Sequence, residues 1–307
     1  MRSKNIGIYL PEGTNLYDLG SILQVFREAQ EHGLIANVHI CSDEKCVNSA
    51  YSIAIYNIIP IRRLKDTQFD YIFITSTNIQ IILDNTLEIT QVFSEWIKRQ
   101  FKNGTTLISV CNAAFILGNI GLLDGLNCTT HWKRTKELKE NFPKANVHED
   151  ILFIEHNNII TSAGSASGVD LALHIIAKMT DENFAHKIAR EMVVYNRRSG
   201  WHPQESDYLK YRHHVHSGIH KAQDFIDRNI DKKIYLYQLA EVANMSERNF
   251  CRVFKREVSL TVFEYINKVR KEKILNLLEN TEFSKRQIAN KVGLESERHI
   301  HRILKKN

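Results

Sequence analysis

Three residues in the first half of the chain have types that enzymes use together. Cys111 follows the run Thr105-Thr106-Leu107-Ile108-Ser109-Val110 and precedes Asn112-Ala113-Ala114-Phe115. That order reads as a strand, a sharp turn and a helix start. It would put a thiol on a nucleophile-elbow-like turn beside helix-terminal N–H groups, which favour a thiolate and can bind an oxyanion. His131, in Thr129-Thr130-His131-Trp132, is the candidate base, and Asp18 in the loop after the first strand is the candidate carboxylate. With Asn112 and Trp132 they make the candidate ligand-binding set. A cysteine-dependent hydrolase, amidase or hydratase is the chemistry such a set would serve. A plainer role is open to each: Cys111 as a small buried residue at a tight turn, His131 as a hydrogen-bonded packing group, Asp18 as a helix N-terminal charge.

The second half carries a different chemistry. Residues 237–255 have the form of a short helix, a tight turn and a second helix. Leu239, Ala240 and Ala243 face inward on the first helix, Ser246 caps the second, and Phe250, Val253 and Phe254 return to the core. That leaves Glu247, Arg248, Cys251, Arg252 and Lys255 outside, where a recognition helix presents side chains to the major groove. Residues 284–305 repeat the logic: Ile288, Ala289 and Val292 inside, Gly293 at the turn, Ser296 as cap, and Ile300, Ile303 and Leu304 inside. The candidate DNA-binding residues are Ser246, Glu247, Arg248, Arg252, Lys255, Ser296, Glu297, Arg298, His299, His301 and Arg302. A long amphipathic helix over 261–280, with Phe263, Ile266, Val269, Ile274, Leu277 and Leu278 on its apolar side, would hold the two units at a fixed separation.

The elements that must position these groups divide the chain in two. Strands over 6–10, 38–41, 71–75 and 105–110 alternate with helices over 19–32, 87–102 and 113–118, which implies a parallel sheet covered on both faces. A hairpin over 151–160 belongs near the sheet edge, and helices follow over 169–179 and 181–194. Residues 195–210 lose periodicity and read as a linker, and from 215 onward only helices follow. The fold class expected is an α/β flavodoxin-like parallel-sheet domain over 1–200 and an all-α domain with two helix-turn-helix units over 211–307.

Composition fits this division. At 307 residues, 43% hydrophobic and 25% charged with 4 prolines, the chain has the make-up of a globular protein of two domains. Its net charge of +6 is unevenly spread: residues 208–307 hold 21 Lys and Arg against 12 Asp and Glu, a net of +9, whereas residues 1–207 hold 20 against 23, a net of −3. The basic module suits a polyanion. Five cysteines without paired zinc spacing argue against a disulfide framework and a metal knuckle. The first residues read as the start of a strand and not as a signal peptide, and no apolar run reaches membrane-spanning length, so a cytoplasmic protein is expected, with no membrane partner. His213, His214, His216 and His220 lack metal-ligand spacing and read as linker or capping residues. Arg197-Arg198 is either solvated, paired with the first domain or placed on a phosphate.

Residues 235–305 resemble the AraC/XylS DNA-binding domain through Leu239-Ala240, Met245-Ser246, Phe250, Arg252, Phe254-Lys255, Arg270, Gly293 and Ser296. Such domains usually continue with a further turn and short helix, whereas this sequence closes on Leu304-Lys305-Lys306-Asn307, which bears more on the DNA grip of the second unit than of the first. Residues 5–200 resemble the PfpI-like domain of GlxA-type regulators, related to class I glutamine amidotransferases. The matching positions are Gly13, Leu16, Asp18-Leu19, Cys111, Ala114-Phe115, the run from Gly121 to Gly125, Thr130-His131-Trp132, Thr161 to Gly164 and Asp170 to Leu173. Asn112 stands where these proteins often have threonine, which alters the polar lining of the elbow. The resemblance implies a ligand-sensing and dimerising domain near Asp18, Cys111 and His131, without a cofactor and without established catalysis. It implies as partners promoter DNA, a small polar and nitrogen-containing effector, RNA polymerase and a second copy of the chain.

Overall fold

The computed structural model describes residues 3–80, 89–194, 198–200, 204, 211–212 and 214–305, with the backbone alone at 279–280. The chain separates into two compact units, residues 1–204 and 205–307. Most of the linker expected over 195–210 lies outside the described residues, as do residues 87–88 of the second expected helix.

The first unit is built on a seven-stranded sheet. Its strands are β1 (Lys4–Tyr9), β2 (Ala36–Ser42), β5 (Ile59–Pro60), β6 (Tyr71–Ile74), β7 (Thr106–Ser109), β10 (Phe153–His156) and β11 (Ile159–Ser162), in the order β10-β11-β7-β6-β1-β2-β5. All neighbours are parallel except β10 and β11, the hairpin at one edge. Short pairs flank it: β3 (Val47–Asn48) with β4 (Ala54–Ile55), and β8 (Asn127–Cys128) with β9 (Asn146–Val147).

Side-chain alternation sorts the strands onto two cores. Ile6, Ile8, Phe73, Ile108 and Ile160 point to one face, under helices α1 (Leu16–Glu31), α5 (Ser167–Met179) and α6 (Glu182–Glu191). Tyr9, Ile72, Ile74, Leu107 and Ile159 point to the other, under α2 (Gln91–Lys102) and α3 (Ala114–Asn119), and α4 (Thr135–Asn141) contributes Leu138. Both faces are covered, so the central strands are apolar on both sides. The unit is therefore the α/β parallel-sheet architecture expected.

The described residues of the second unit are helical: α7 (Ser217–Arg228), α8 (Leu236–Val242), α9 (Glu247–Val258), α10 (Val262–Asn280), α11 (Lys285–Lys291) and α12 (Glu297–Lys305). Thr261 with Glu264 and Ser284 with Gln287 form capping boxes that start α10 and α11. Two separate cores result. Ile219, Leu239, Phe250, Phe254 and Tyr265 fill the first; Ile274, Ile288, Val292, Ile300 and Ile303 fill the second.

The long helix α10 serves both, and here the expected apolar side needs correction. Val262, Tyr265, Ile266 and Val269 enter the first core, while Ile274 and Leu277 enter the second. At 3.6 residues per turn these two stripes are rotated by about a quarter turn. Phe263 falls on the later stripe but too early along the helix to reach its core, and is 58% exposed; Leu278 falls on neither and is 38% exposed. No helix among the described residues is long and apolar enough to cross a membrane.

Candidate functional site

In the first unit the carboxyl ends of β6 and β7 and the start of α1 meet. Cys111 directly follows this end of β7 and takes φ +55°, a left-handed conformation costly for a residue with a side chain. A 3-10 turn, Cys111–Ala113, then leads into α3. The backbone therefore has the elbow form expected. Asp18 lies in the first turn of α1, whose cap Asn15 accepts from the Tyr17 N–H at 2.9 Å. Its carboxyl is fully buried, and Oδ2 accepts from Ser76 N at 2.8 Å and Ser76 Oγ at 2.5 Å.

The electrostatics oppose an activated thiol. Burial, followed by the nearby Asp18 carboxyl, pushes the Cys111 thiol up to about 12, and the Asn112 N–H works only weakly in the other direction. The helix-start N–H groups thus do not produce the thiolate that the elbow pattern suggested. Burial also raises Asp18, against hydrogen bonds from Ser76 and Ser165. At neutral pH a thiol near 12 is ionised to about one part in 10⁵. We expect iodoacetamide to modify Cys111 at pH 7.5 at least about tenfold more slowly than the exposed Cys251, with the Cys111 rate still climbing above pH 10. Peptide mass spectrometry across pH reads this directly, and a Cys111 rate already saturated at pH 8 would contradict the buried thiol.

The other candidates are placed as follows. His131 begins a short 3-10 turn, Trp132–Arg134; its Nδ1 accepts from Lys133 N at 3.2 Å and its ring stacks on the exposed Trp132 with centroids 5.7 Å apart. The His131 edge lies against Gly164, where an added Cβ would stand 3.5 Å from Cδ2. Thr130 ties this turn to the elbow, Oγ1 donating to the Cys111 carbonyl at 2.9 Å. Asn112 is buried and engaged: Nδ2 donates to Thr77 O at 2.7 Å and Oδ1 accepts from Thr77 N at 3.2 Å. It fastens the loop after β6 to the elbow. Sequence reasoning missed Ser76 and Thr77 and gave Thr130 and Ser165 no role of their own; the small polar run Thr75-Ser76-Thr77 at a strand's carboxyl end was the available signal.

In the second unit, Ser246 caps α9, accepting from Asn249 N at 3.4 Å. Glu247, Arg248, Arg252 and Lys255 are exposed, while Phe250, Val253, Phe254 and Val258 are buried. Arg248, Arg252 and Lys255 stand at i, i+4 and i+7, so they share one stripe; Arg252 Nη2 donates to Asn249 Oδ1 at 2.8 Å. On α12, Glu297, Arg298, His301 and Arg302 are exposed together with Ser296 before it, and His299 is half-buried. Asn244 and Gly293, at φ +62° and +66°, make the corresponding turns of the two units. His213 lies outside the described residues; His220 Nε2 donates to the His214 carbonyl at 2.6 Å and His214 Nε2 meets Gln223 Oε1 at 3.2 Å. Arg198 pairs with Asp170 of the first unit; Arg197 is outside the described residues.

A parallel-sheet unit with an elbow cysteine, joined to a unit with paired helix-turn-helix elements, defines a two-domain class. Residues 4–178 match the model of the DJ-1/PfpI family and residues 239–307 match a helix-turn-helix domain model. The chain belongs to the DJ-1/PfpI family, with an AraC-type helix-turn-helix domain following it. Among curated proteins it is similar to the HTH-type transcriptional regulator GbdR of Pseudomonas aeruginosa, 26% identical over 215 residues, 69% of this chain and 58% of that protein. It is 22% identical to the HTH-type transcriptional regulator GlxA of Rhizobium meliloti over 210 residues, 68% of this chain and 64% of that one. The match thus spans less than two thirds of either relative. Among solved structures, an AraC family transcriptional regulator from Pseudomonas putida shares the fold of the first unit at TM-score 0.52 and 15% identity, covering 62% of this chain and 99% of that one.

Proposed function

We propose that this protein is a sequence-specific DNA-binding transcription regulator, with residues 211–307 as its DNA-binding domain and residues 1–200 sensing a small metabolite or mediating dimerisation. The observation that carries the reading is the pair of helices α9 and α12. Each is anchored by a buried apolar stripe and offers an exposed basic face, within residues 208–307, which carry net +9. Arginines spaced along such a face reach base edges or phosphates in the major groove. Names of relatives such as GbdR and GlxA support the same reading. The effector contacts are assigned to Asp18, Cys111, Asn112, His131 and Trp132, and the DNA contacts to Ser246, Glu247, Arg248, Arg252, Lys255, Ser296, Glu297, Arg298, His299, His301 and Arg302. The partners are promoter DNA, RNA polymerase and a second copy of the chain, in the cytoplasm. Catalysis by Cys111 is the disfavoured alternative, because a thiol pushed up to about 12 lacks the ionised form that attacks.

The test is genome-wide mapping of DNA bound by the intact protein beside a variant with Arg248→Ala and Arg252→Ala. Discrete peaks that the variant loses are expected, and gel-shift titration on a peak sequence should show each single change weakening binding by about 1–3 kcal/mol where the arginine reads a base. A variant binding both peak and scrambled DNA as the parent does would reject the assignment of α9.

A further inference from the structure

The two halves of the second unit touch at a point away from the helix that joins them. The turn after α7, residues 229–232, is anchored in the first core by Ile230, and the turn between α11 and α12, at Gly293, is anchored in the second by Val292. These turns meet backbone to backbone. A Cβ at Gly293 would stand 2.7 Å from the carbonyl oxygens of both Ile230 and Lys232 and 2.9 Å from the Asp231 carbonyl carbon, so an approach this close requires glycine. Arg270 joins the contact from α10, its Nη2 donating to Lys232 O at 3.2 Å.

Both turns are stiff. Lys232 N donates to Asn229 O at 2.9 Å, Asn229 Nδ2 to Phe225 O at 2.9 Å, and Leu294 N to Ala289 O at 2.9 Å. Ile230 and Val292 are 1% and 0% exposed, so sliding one turn past the other would displace a buried side chain in each core, which close packing opposes. Beside the contact the halves part around a cleft of about 540 Å³, lined by Lys233 and Ile234 on one side and Leu294 and Ile303 on the other. The remaining connection is α10, which leaves the first core at Val269 and enters the second at Ile274. Long helices bend, and an attachment off the helix axis opposes both bending and twisting.

Duplex DNA gives that stiffness a consequence. One base pair added between two contacted segments moves the second by about 3.4 Å and turns it by about 35° around the axis. Two reading helices held rigidly fit one spacing; two that flex follow several. On the reading that α9 and α12 both enter the major groove, we propose that the 229–232 turn, the Gly293 turn and Arg270 form a brace that sets the operator spacing this protein accepts. Arg270 is a positioning residue, acting through the Lys232 carbonyl.

The test titrates the full chain on a mapped peak sequence with one base pair inserted or removed between the blocks that α9 and α12 read. Each change should weaken binding of the native chain by about tenfold or more. Arg270→Met, which keeps the stem and removes the donor, should cut that penalty to about threefold or less. Gly293→Asn, which wedges a Cβ between the turns, should do the same at a temperature where circular dichroism shows it folded, and it decides if Arg270→Met does not fold. A purely structural role or a phosphate contact for Arg270 would lower all three affinities by one factor and leave their ratios as in the native chain, and that result would overturn the brace. Equal binding of the three spacings by the native chain would overturn it too. A native chain that prefers no peak sequence over scrambled DNA at any spacing refutes the DNA reading itself, and the brace with it.

Discussion

Gly293→Ala is expected to lower the stability of the second unit by about 2–4 kcal/mol, among the largest single-residue effects in the chain. Two costs add. Gly293 takes φ +66°, where a side chain is strained, and a Cβ there would stand 2.7 Å from the carbonyl oxygens of both Ile230 and Lys232. Those oxygens belong to the turn between α7 and α8, and backbone yields little. Arg270 Nη2 also donates to Lys232 O at 3.2 Å, so the same turn is gripped from two sides. Urea denaturation followed by circular dichroism should show the midpoint falling for the transition that reports helix loss. Gly293→Asn separates the two costs: asparagine tolerates the left-handed backbone but keeps the Cβ, so it should remain markedly destabilised. A midpoint equal to the parent's in Gly293→Ala would mean that the turn moves aside freely.

Asp170→Ala should destabilise the first unit by about 2–4 kcal/mol, below the full range for a broken buried pair because one partner keeps some water. Asp170 is 4% exposed and Arg198 32% exposed. Oδ2 accepts from Arg198 Nε at 3.1 Å and Nη2 at 2.7 Å, and Oδ1 accepts from the Arg198 N–H at 2.9 Å. Removing the carboxylate leaves the guanidinium and one N–H without these acceptors. The loss also loosens the return of the chain over the sheet edge. There the Gly200 carbonyl accepts from Phe153 N, and Gln204 Nε2 donates to Thr130 O at 2.9 Å beside His131. Thermal unfolding should rank Arg198→Ala at least as costly as Asp170→Ala, because it leaves the more deeply buried charge without its partner. Equal small shifts would show the pair to be a surface contact in effect.

Much of the architecture was legible because periodicity is a local property of the backbone. Alternation at Ile6, Ile8 and Tyr9 or at Leu107 and Ile108 marks a two-faced strand without knowledge of any partner. The spacing of Phe250, Val253 and Phe254 marks the inner stripe of α9 and, by subtraction, the outer position of Arg248 and Arg252. Ser246 and Gly293 announce a cap and a turn through their own conformational preferences.

What depended on tertiary structure involves residues remote in sequence. The elbow at Cys111 was readable, but the protonation of its thiol was not, since that follows from burial and from Asp18, 93 positions earlier. Asn112 stood out along the chain as a pocket residue, but that its amide fastens the Thr77 loop to the elbow could be seen only in the fold. Arg198 was ambiguous until Asp170 lay beside it, and Phe263 read as core until the two cores of α10 proved to be rotated against each other. Propensity, period and capping act over a few residues and can be read along a chain; desolvation, unmatched acceptors and steric clearance are set by whatever the fold brings alongside.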